Sequence, residues 1–325
     1  MRLAIFGAGA IGGFLGARLA RAGVDVVLIA RGPHLKAMQE SGLRVIDREG
    51  DWTVRVDATD DFAAMRDAHA VFVTVKAHSL PPVAERLAAN LGDETAVISA
   101  QNGIPWWYFQ RYGGELEGIH LETVDPGGLV ARAIDPRRVI GCIVYPSTSL
   151  VSPGVVRHVE GERFSLGELD GSQSPRCVEL SQALVSAGLK APVQTKIRSE
   201  LWLKLLGNAV FNPLSALTRA TLGDIAASPL VAEVVRASME EVDAVARRLG
   251  IEIQLSIDQR IKGAARVGDH KTSMLQDLEA GRPMEIDALT GSVVELGDRL
   301  GIPVPHLRTL YSSVKLLESS GAAGG

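Results

Sequence analysis

One glycine-rich turn near the start of the chain constrains everything after it. The sequence opens MRLAIFGAGAIGGF, with Gly7, Gly9 and Gly12 spaced as G-x-G-x-x-G directly behind the apolar run 3–6. A helical pattern follows over 10–22 and a second apolar run over 24–30, so the opening reads as strand, turn, helix, strand. Such a turn is built to hold phosphate. The first glycine permits the sharp exit from the strand, the second lets backbone approach a pyrophosphate, and the third lets the helix pack on the sheet. The helix N-terminus adds unpaired N–H groups and the positive end of its dipole. The residues placed to make that contact are Gly7, Ala8, Gly9, Ala10, Ile11 and Gly12. A secretory leader fits poorly, because four glycines interrupt the apolar stretch and Arg18 and Arg21 follow within one helix length.

The second strand ends in LIARGPHLKAM, residues 28–38. A dinucleotide site that prefers NAD carries a carboxylate at this point to hold the ribose 2′-hydroxyl. Here the position is Arg31, with His34 and Lys36 close by and no acidic residue before Glu40. A guanidinium matches a 2′-phosphate in fork geometry, where a carboxylate would repel it. The expected cofactor is therefore NADP(H).

The chain is long enough, at 325 residues, for two domains, and 46% apolar against 22% charged residues supports a packed core. A net charge of −4 without Lys/Arg clusters argues against nucleic acid. Cys142 and Cys177 are the two cysteines and lie too far apart for a metal-ligand or disulfide framework. No run reaches the roughly 18 apolar residues of a membrane span. A soluble, cytoplasmic protein without metal is expected. Further strands are expected at 53–56, 70–75, 96–99, 118–124, 139–145 and 154–166, with helical patterns between several of them. From about residue 195 the periodicity turns helical: 196–217, 230–249, 254–265, 285–300 and 305–317. The fold class expected is α/β: a Rossmann-type doubly wound sheet over 1–194, then an all-α domain over 195–325 that holds substrate and catalytic groups. The last six or so residues, within SSGAAGG, are expected to fray.

Up to Pro213 the helix LWLKLLGNAVFNPLSALT is apolar except at Lys204, Asn208 and Asn212, four residues apart and so on one face. A stripe one residue wide is too narrow for a solvated face, and burying an amine and two amides requires polar partners. Pro213 deprives the Ala209 carbonyl of its helical donor. A second concentration is KTSMLQDLEAGRPMEID at 271–287. There Pro283 suits a first helical turn, which would place Glu285 near the dipole. A third is the aromatic run Trp106, Trp107, Tyr108 and Phe109 behind the Gln101-Asn102-Gly103 turn. Such rings either pack a domain interface or a dimer contact, or form a lid or wall of the substrate pocket.

These residues together resemble the ketopantoate reductase family. The resemblance spans nearly the whole chain and rests on GAGAIGG at 7–13, AR at 30–31, VKAH at 75–78, QNG at 101–103, K-x-x-x-N-x-x-x-N at 204–212 and TSMLQDLEAGRPMEID at 272–287. It implies a Rossmann domain followed by a helical domain, with the active site in the cleft between. It implies NADPH-dependent reduction of 2-dehydropantoate to pantoate, in pantothenate biosynthesis. Position by position, Lys204 corresponds to the lysine that protonates the ketone oxygen, and Glu285 to the glutamate that holds that lysine and the substrate. Asn208, Asn212 and Ser273 correspond to substrate-binding positions, and Asn102 to the asparagine beside nicotinamide and substrate. Lys76 corresponds to a lysine at the cofactor edge, and Arg31 to the arginine at the 2′-phosphate. The partner implied is a small 2-oxo acid, with a homodimer compatible with the helical domain. The aromatic run and His270 depart from the family pattern, so a paralogue acting on another 2-oxo acid is the alternative. A non-catalytic NADP(H) sensor is the second alternative; it should lack Lys204 or Glu285, and both are present.

Overall fold

The structure is a computed structural model that describes residues 1–322. It divides into two compact units. The first comprises Met1–Gln101, Trp107–Ile119 and Gly128–Ile197, and the second Asn102–Trp106, His120–Gly127 and Arg198–Gly325. Two short stretches of the N-terminal half therefore join the helical unit.

Unit 1 begins with β1 (Arg2–Phe6), α1 (Ala10–Arg21), β2 (Asp25–Ile29) and α2 (Gly32–Ser41). It continues through β3 (Leu43–Asp47), β4 (Gly50–Val54), β5 (Asp57–Thr59), β6 (Ala70–Val73), α3 (Ala84–Ala88), β7 (Ala96–Ser99) and α4 (Leu129–Ala133). It closes with β8 (Val139–Val144), β9 (Ser147–Ser152), β10 (Val155–Glu160), β11 (Phe164–Glu168) and α5 (Pro175–Ser186). Seven strands form one sheet in the order β11-β8-β7-β6-β1-β2-β5. All neighbours are parallel except β11, which runs antiparallel on β8. The chain winds outward from β1 through β2 to β5, then crosses to β6 on the other side. The switch point of a doubly wound sheet thus lies between β1 and β6, where ligands are held at the carboxyl ends of the strands. Strands such as AVFV and AVIS are buried throughout, as both-face coverage requires. A separate four-stranded sheet, β4-β3-β10-β9, is not evident in the sequence pattern. It forms because two hairpins pair through β3 and β10 in parallel.

Unit 2 consists of α6 (Ile197–Thr218), α7 (Leu222–Ala227), α8 (Pro229–Arg248), α9 (Ile257–Val267), α10 (Ser273–Glu279), a π-helical turn at Asp287–Gly291, α11 (Ser292–Leu300) and α12 (Pro305–Ala322). α7 and α9 each start with a full capping box, Thr221 with Asp224 and Ser256 with Gln259. The core of this unit includes Trp202, Leu206, Val210, Met239, Val242, Leu275, Ile286 and Val314, each at most 1% exposed.

Two expectations are corrected. No strand forms over 118–124. Instead Glu295 of α11 accepts the N–H groups of Glu122 and Thr123 at 2.9 Å each and the Thr123 hydroxyl at 2.8 Å, which satisfies that backbone without a sheet. The stretch from Ser319 is helical as far as Ala322, where Ser319 and Ser320 hydroxyls bond back to Leu316 and Leu317 carbonyls. The rest of the expected frayed tail, 323–325, lies outside the described residues. Trp106, Trp107, Tyr108 and Phe109 are at most 4% exposed. Within unit 1 the Trp107 ring sits where a Cβ on Gly141 of β8 would be, and Tyr108, Phe109 and Tyr112 stack edge to face. These rings are buried in the interior. No helix among the described residues is long and apolar enough to cross a membrane.

Candidate active site

The phosphate loop of unit 1 has the geometry its glycines suggest. Gly7 adopts φ +98°, and a Cβ there would lie 2.4 Å from Val75 Cγ1 and 2.8 Å from Val75 N. A Cβ on Gly12 would meet Thr74 Oγ1 at 2.4 Å and the Gly7 carbonyl at 2.6 Å, so only glycine lets α1 lie this close to the sheet. Gly9 differs: nothing but the Gly7 carbonyl, at 3.9 Å, stands near its missing Cβ. The loop is therefore rigid on the sheet side and open at Gly9, beside the N-terminus of α1, whose first turn carries no acid. The N–H groups of Gly7 and Ala8 donate to the Ile29 carbonyl at 3.1 and 3.0 Å, which ties the loop to the end of β2. Two residues on, Arg31 is exposed in extended backbone at the start of α2. Lys76 occupies the matching position after β6, half-buried at the head of a short 3₁₀ turn.

His34 is not part of a basic cluster. Its Nε2 donates to the Ala8 carbonyl at 2.7 Å, and its Nδ1 accepts the Gly154 N–H at 2.9 Å. One neutral imidazole thus bridges the phosphate loop and the β9–β10 turn, and burial lowers its pKa. Lys36 points to solvent and pairs with Glu40 at 3.8 Å.

Unit 2 brings together three of the candidate residues, Lys204, Asn102 and Glu285. Lys204 on α6 donates from Nζ to Asn102 Oδ1 at 2.7 Å. Asn102 in turn donates from Nδ2 to Glu285 Oε2 at 3.2 Å. The asparagine amide stands between a cation and a carboxylate and uses each end in the sense its charge neighbour demands. Glu285 is not in a first helical turn: it precedes the helix, and its carbonyl accepts the Leu289 N–H at 3.1 Å. Its backbone neighbours are held by α12. Met284 N–H donates to Glu318 at 2.8 Å, and Asp287 receives the Tyr311 hydroxyl at 2.7 Å and Lys315 Nζ at 3.0 Å. Burial, with Asp287 beside it, pushes the Tyr311 phenol well above its usual range.

On α6, Asn208 is half-buried and Asn212 is 5% exposed, on the same stripe as Lys204. Ser273 opens α10 and is exposed, while Thr272 supplies the cap by accepting the Leu275 N–H at 3.2 Å. His270 joins α10's approach to α7, its carbonyl accepting the Leu222 N–H at 3.0 Å. The sequence reading missed Arg260 of α9, whose guanidinium fills the space a Cβ on Gly207 would need, within 2.0–2.4 Å of it. The signal was there: Gly207 in mid-helix is costly unless something packs on it.

The chain is similar to known proteins along nearly its whole length. Residues 3–171 match the family model "Ketopantoate reductase PanE/ApbA", and residues 196–318 match "Ketopantoate reductase PanE/ApbA C terminal". The chain belongs to the ketopantoate reductase family. It is 50% identical over 320 residues to a 2-dehydropantoate 2-reductase of Mesorhizobium japonicum, covering 98% of each chain. It is 33% identical to a 2-dehydropantoate 2-reductase of Archaeoglobus fulgidus, again over 98% of each. A PanE/ApbA family ketopantoate reductase from Ralstonia eutropha shares its structure at TM-score 0.85 with 32% identity, over 99% of this chain and 100% of that one. Members of the family are oxidoreductases that use a nicotinamide cofactor, and this chain is one of them.

Proposed function

We propose that this protein reduces 2-dehydropantoate to pantoate with NADPH, and that Lys204 is its proton donor. The observation that carries the reading is the Lys204–Asn102–Glu285 chain of hydrogen bonds. Adding hydride to the ketone carbon breaks the C=O π bond and places negative charge on the oxygen. An ammonium aimed at that oxygen stabilises the charge and delivers the proton, after which lysine recovers a proton from water. Asn102 sets the direction of the Lys204 ammonium, and Glu285 sets the direction of Asn102. Asn208, Asn212 and Ser273 hold the substrate through neutral groups, so no second cation competes with Lys204 for the oxyanion.

The residues of unit 1 suit the cofactor: the open face at Gly9, the acid-free start of α1 and the backbone N–H groups of Ala10, Ile11 and Gly12 fit a pyrophosphate. Arg31, with no acidic residue in the first turn of α2, favours the 2′-phosphate and hence NADPH over NADH. Lys76 contributes at the nicotinamide side. When bound, the nicotinamide supplies the hydride.

The deciding experiment is NADPH oxidation by the purified protein with 2-dehydropantoate, beside Lys204→Ala and Arg31→Ala. Lys204→Ala should lower kcat by about 10²–10⁴-fold. Arg31→Ala should raise KM for NADPH while leaving KM for NADH nearly unchanged. Efficient turnover by Lys204→Ala would remove the assigned donor. Failure on 2-dehydropantoate alongside turnover of another 2-oxo acid would transfer the same chemistry to that substrate.

A further inference from the structure

We infer that Thr290, a residue outside the hydrogen-bonded chain Lys204–Asn102–Glu285, is a positioning residue for that chain. It acts by mending a break that Pro213 makes in the helix carrying Lys204. The inference rests on the proposed reductase activity and deepens it.

Pro213 has no N–H, so the carbonyl of Ala209, four residues back, loses the donor that every other turn of a helix provides. That carbonyl belongs to a fully buried residue, next to Asn208 in the chain, and burial denies it a solvent donor. α6 nevertheless runs unbroken to Thr218. The missing donor comes from 81 residues away: Thr290 Oγ1 donates to the Ala209 carbonyl at 2.8 Å, and Thr290 is itself fully buried.

Thr290 lies in the π-helical turn Asp287–Gly291, and the widened turn explains how one segment reaches several partners. The Ser292 N–H goes to the Asp287 carbonyl, five residues back, instead of to Ala288 four back. The Ala288 carbonyl instead accepts the Ile104 N–H at 2.9 Å and the Ser292 hydroxyl at 2.7 Å. Ile104 follows Gly103 in the turn that carries Asn102. Gly103 itself, at φ +81°, approaches so closely that a Cβ would stand 2.1 Å from the Ala288 oxygen. Glu285 sits at the head of the same segment, its carbonyl bonded to the Leu289 N–H. The three members of the catalytic chain thus come from three segments, and all three are bonded into residues 288–290. Ala288 fixes the Asn102 turn, Leu289 fixes Glu285, and Thr290 fixes the helix of Lys204. Thr290 is the only one of the three that acts through its side chain, so it can be removed without changing the backbone.

The test compares Thr290→Val, which keeps the shape and removes the hydroxyl, with Thr290→Ser, which keeps the hydroxyl. Steady-state kinetics are run well below each variant's Tm. Thr290→Val should lower kcat by about tenfold to a hundredfold, the cost of a misplacement near 1 Å. It should also shift the acid–base limb of the kcat–pH profile and leave KM for NADPH within twofold. Thr290→Ser should restore both rate and profile. In a Pro213→Ala background the Ala209 carbonyl regains an in-helix donor, so Thr290→Val should cost less there than in the parent. A Thr290→Val protein with lowered Tm but parental kcat and pH profile would overturn the inference and leave Thr290 a packing residue. So would an equal loss in both backgrounds. If the parent protein itself does not turn over 2-dehydropantoate, the functional reading fails first and independently.

Discussion

At the residue scale, glycines and amides decide the site. Gly103 is the sharpest case, because its positive φ and its contact with the Ala288 backbone act together. Backbone cannot yield as a side-chain tip can. Gly103→Ala is expected to cost about 1–3 kcal/mol of stability, as overpacking does. It should also lower kcat at least about tenfold by moving the neighbouring Asn102. Thermal unfolding and NADPH oxidation on one preparation would check both, and a variant with parental kcat would show that the turn adjusts without moving Asn102. Asn102 itself shows why amide chemistry suits the place. Its oxygen serves the Lys204 cation and its nitrogen serves the Glu285 carboxylate, which an aspartate or a leucine could not do.

At the element scale, the connections between elements depend on single side chains. His34 of α2 bridges Ala8 of the phosphate loop and Gly154 of the β9–β10 turn as a neutral ring. Burial lowers its pKa below the ordinary 6.5, with the bond to Ala8 opposing in part. The unfolded chain therefore binds more protons than the folded one in the window just below pH 6.5. Stability rises with pH through that window, is complete above it, and is lost as pH falls toward the depressed folded value. Tm measured between pH 5 and 7.5 should consequently fall on the acid side, and His34→Gln should flatten that fall. Identical acid limbs for parent and variant would mean another group titrates. Protonation would also turn Nδ1 from acceptor to donor against the Gly154 N–H, so affinity for NADPH should weaken in the same window. α12 has a comparable role in unit 2, where Glu318 holds the Met284 N–H on one side of Glu285 and Tyr311 and Lys315 hold the Asp287 carboxylate on the other.

At the scale of the whole molecule, each unit has its own buried core, and the two cysteines belong to that of unit 1. Cys142 is 1% exposed and Cys177 is fully buried. Burial pushes the Cys177 thiol up to about 11, and the negative charge of Glu168 adds to the effect. A thiolate-directed reagent should react only when unit 1 opens, on the time scale of local unfolding. NADPH at 100 times its Kd would add about 2.7 kcal/mol to the closed state and so slow the reaction about a hundredfold. Rapid labelling of the native protein, indifferent to NADPH, would contradict both the burial and the assignment of the cofactor to this unit.

Much of this was legible in one dimension because it is local. The β1–turn–α1 unit follows from glycine spacing, the parallel sheet from short apolar runs, and the stripe Lys204, Asn208, Asn212 from a period of four. Ala209's orphaned carbonyl was also legible, since Pro213 alone creates it. What completes the site is not local. Lys204 meets Asn102 across 102 residues, Asn102 meets Glu285 across 183, and Thr290 reaches Ala209 across 81. No periodicity encodes a bond of that span, and neither Thr290 nor Glu295 differs in sequence from an ordinary helical residue. The aromatic run shows the converse limit. Its composition left packing and a pocket wall both open, and Gly141 on a distant strand leaves the gap that one of its rings fills. Local chemistry therefore determined which elements form and which groups could react. Tertiary packing decided which of those groups touch, because a buried donor or acceptor must find its partner wherever the fold brings one.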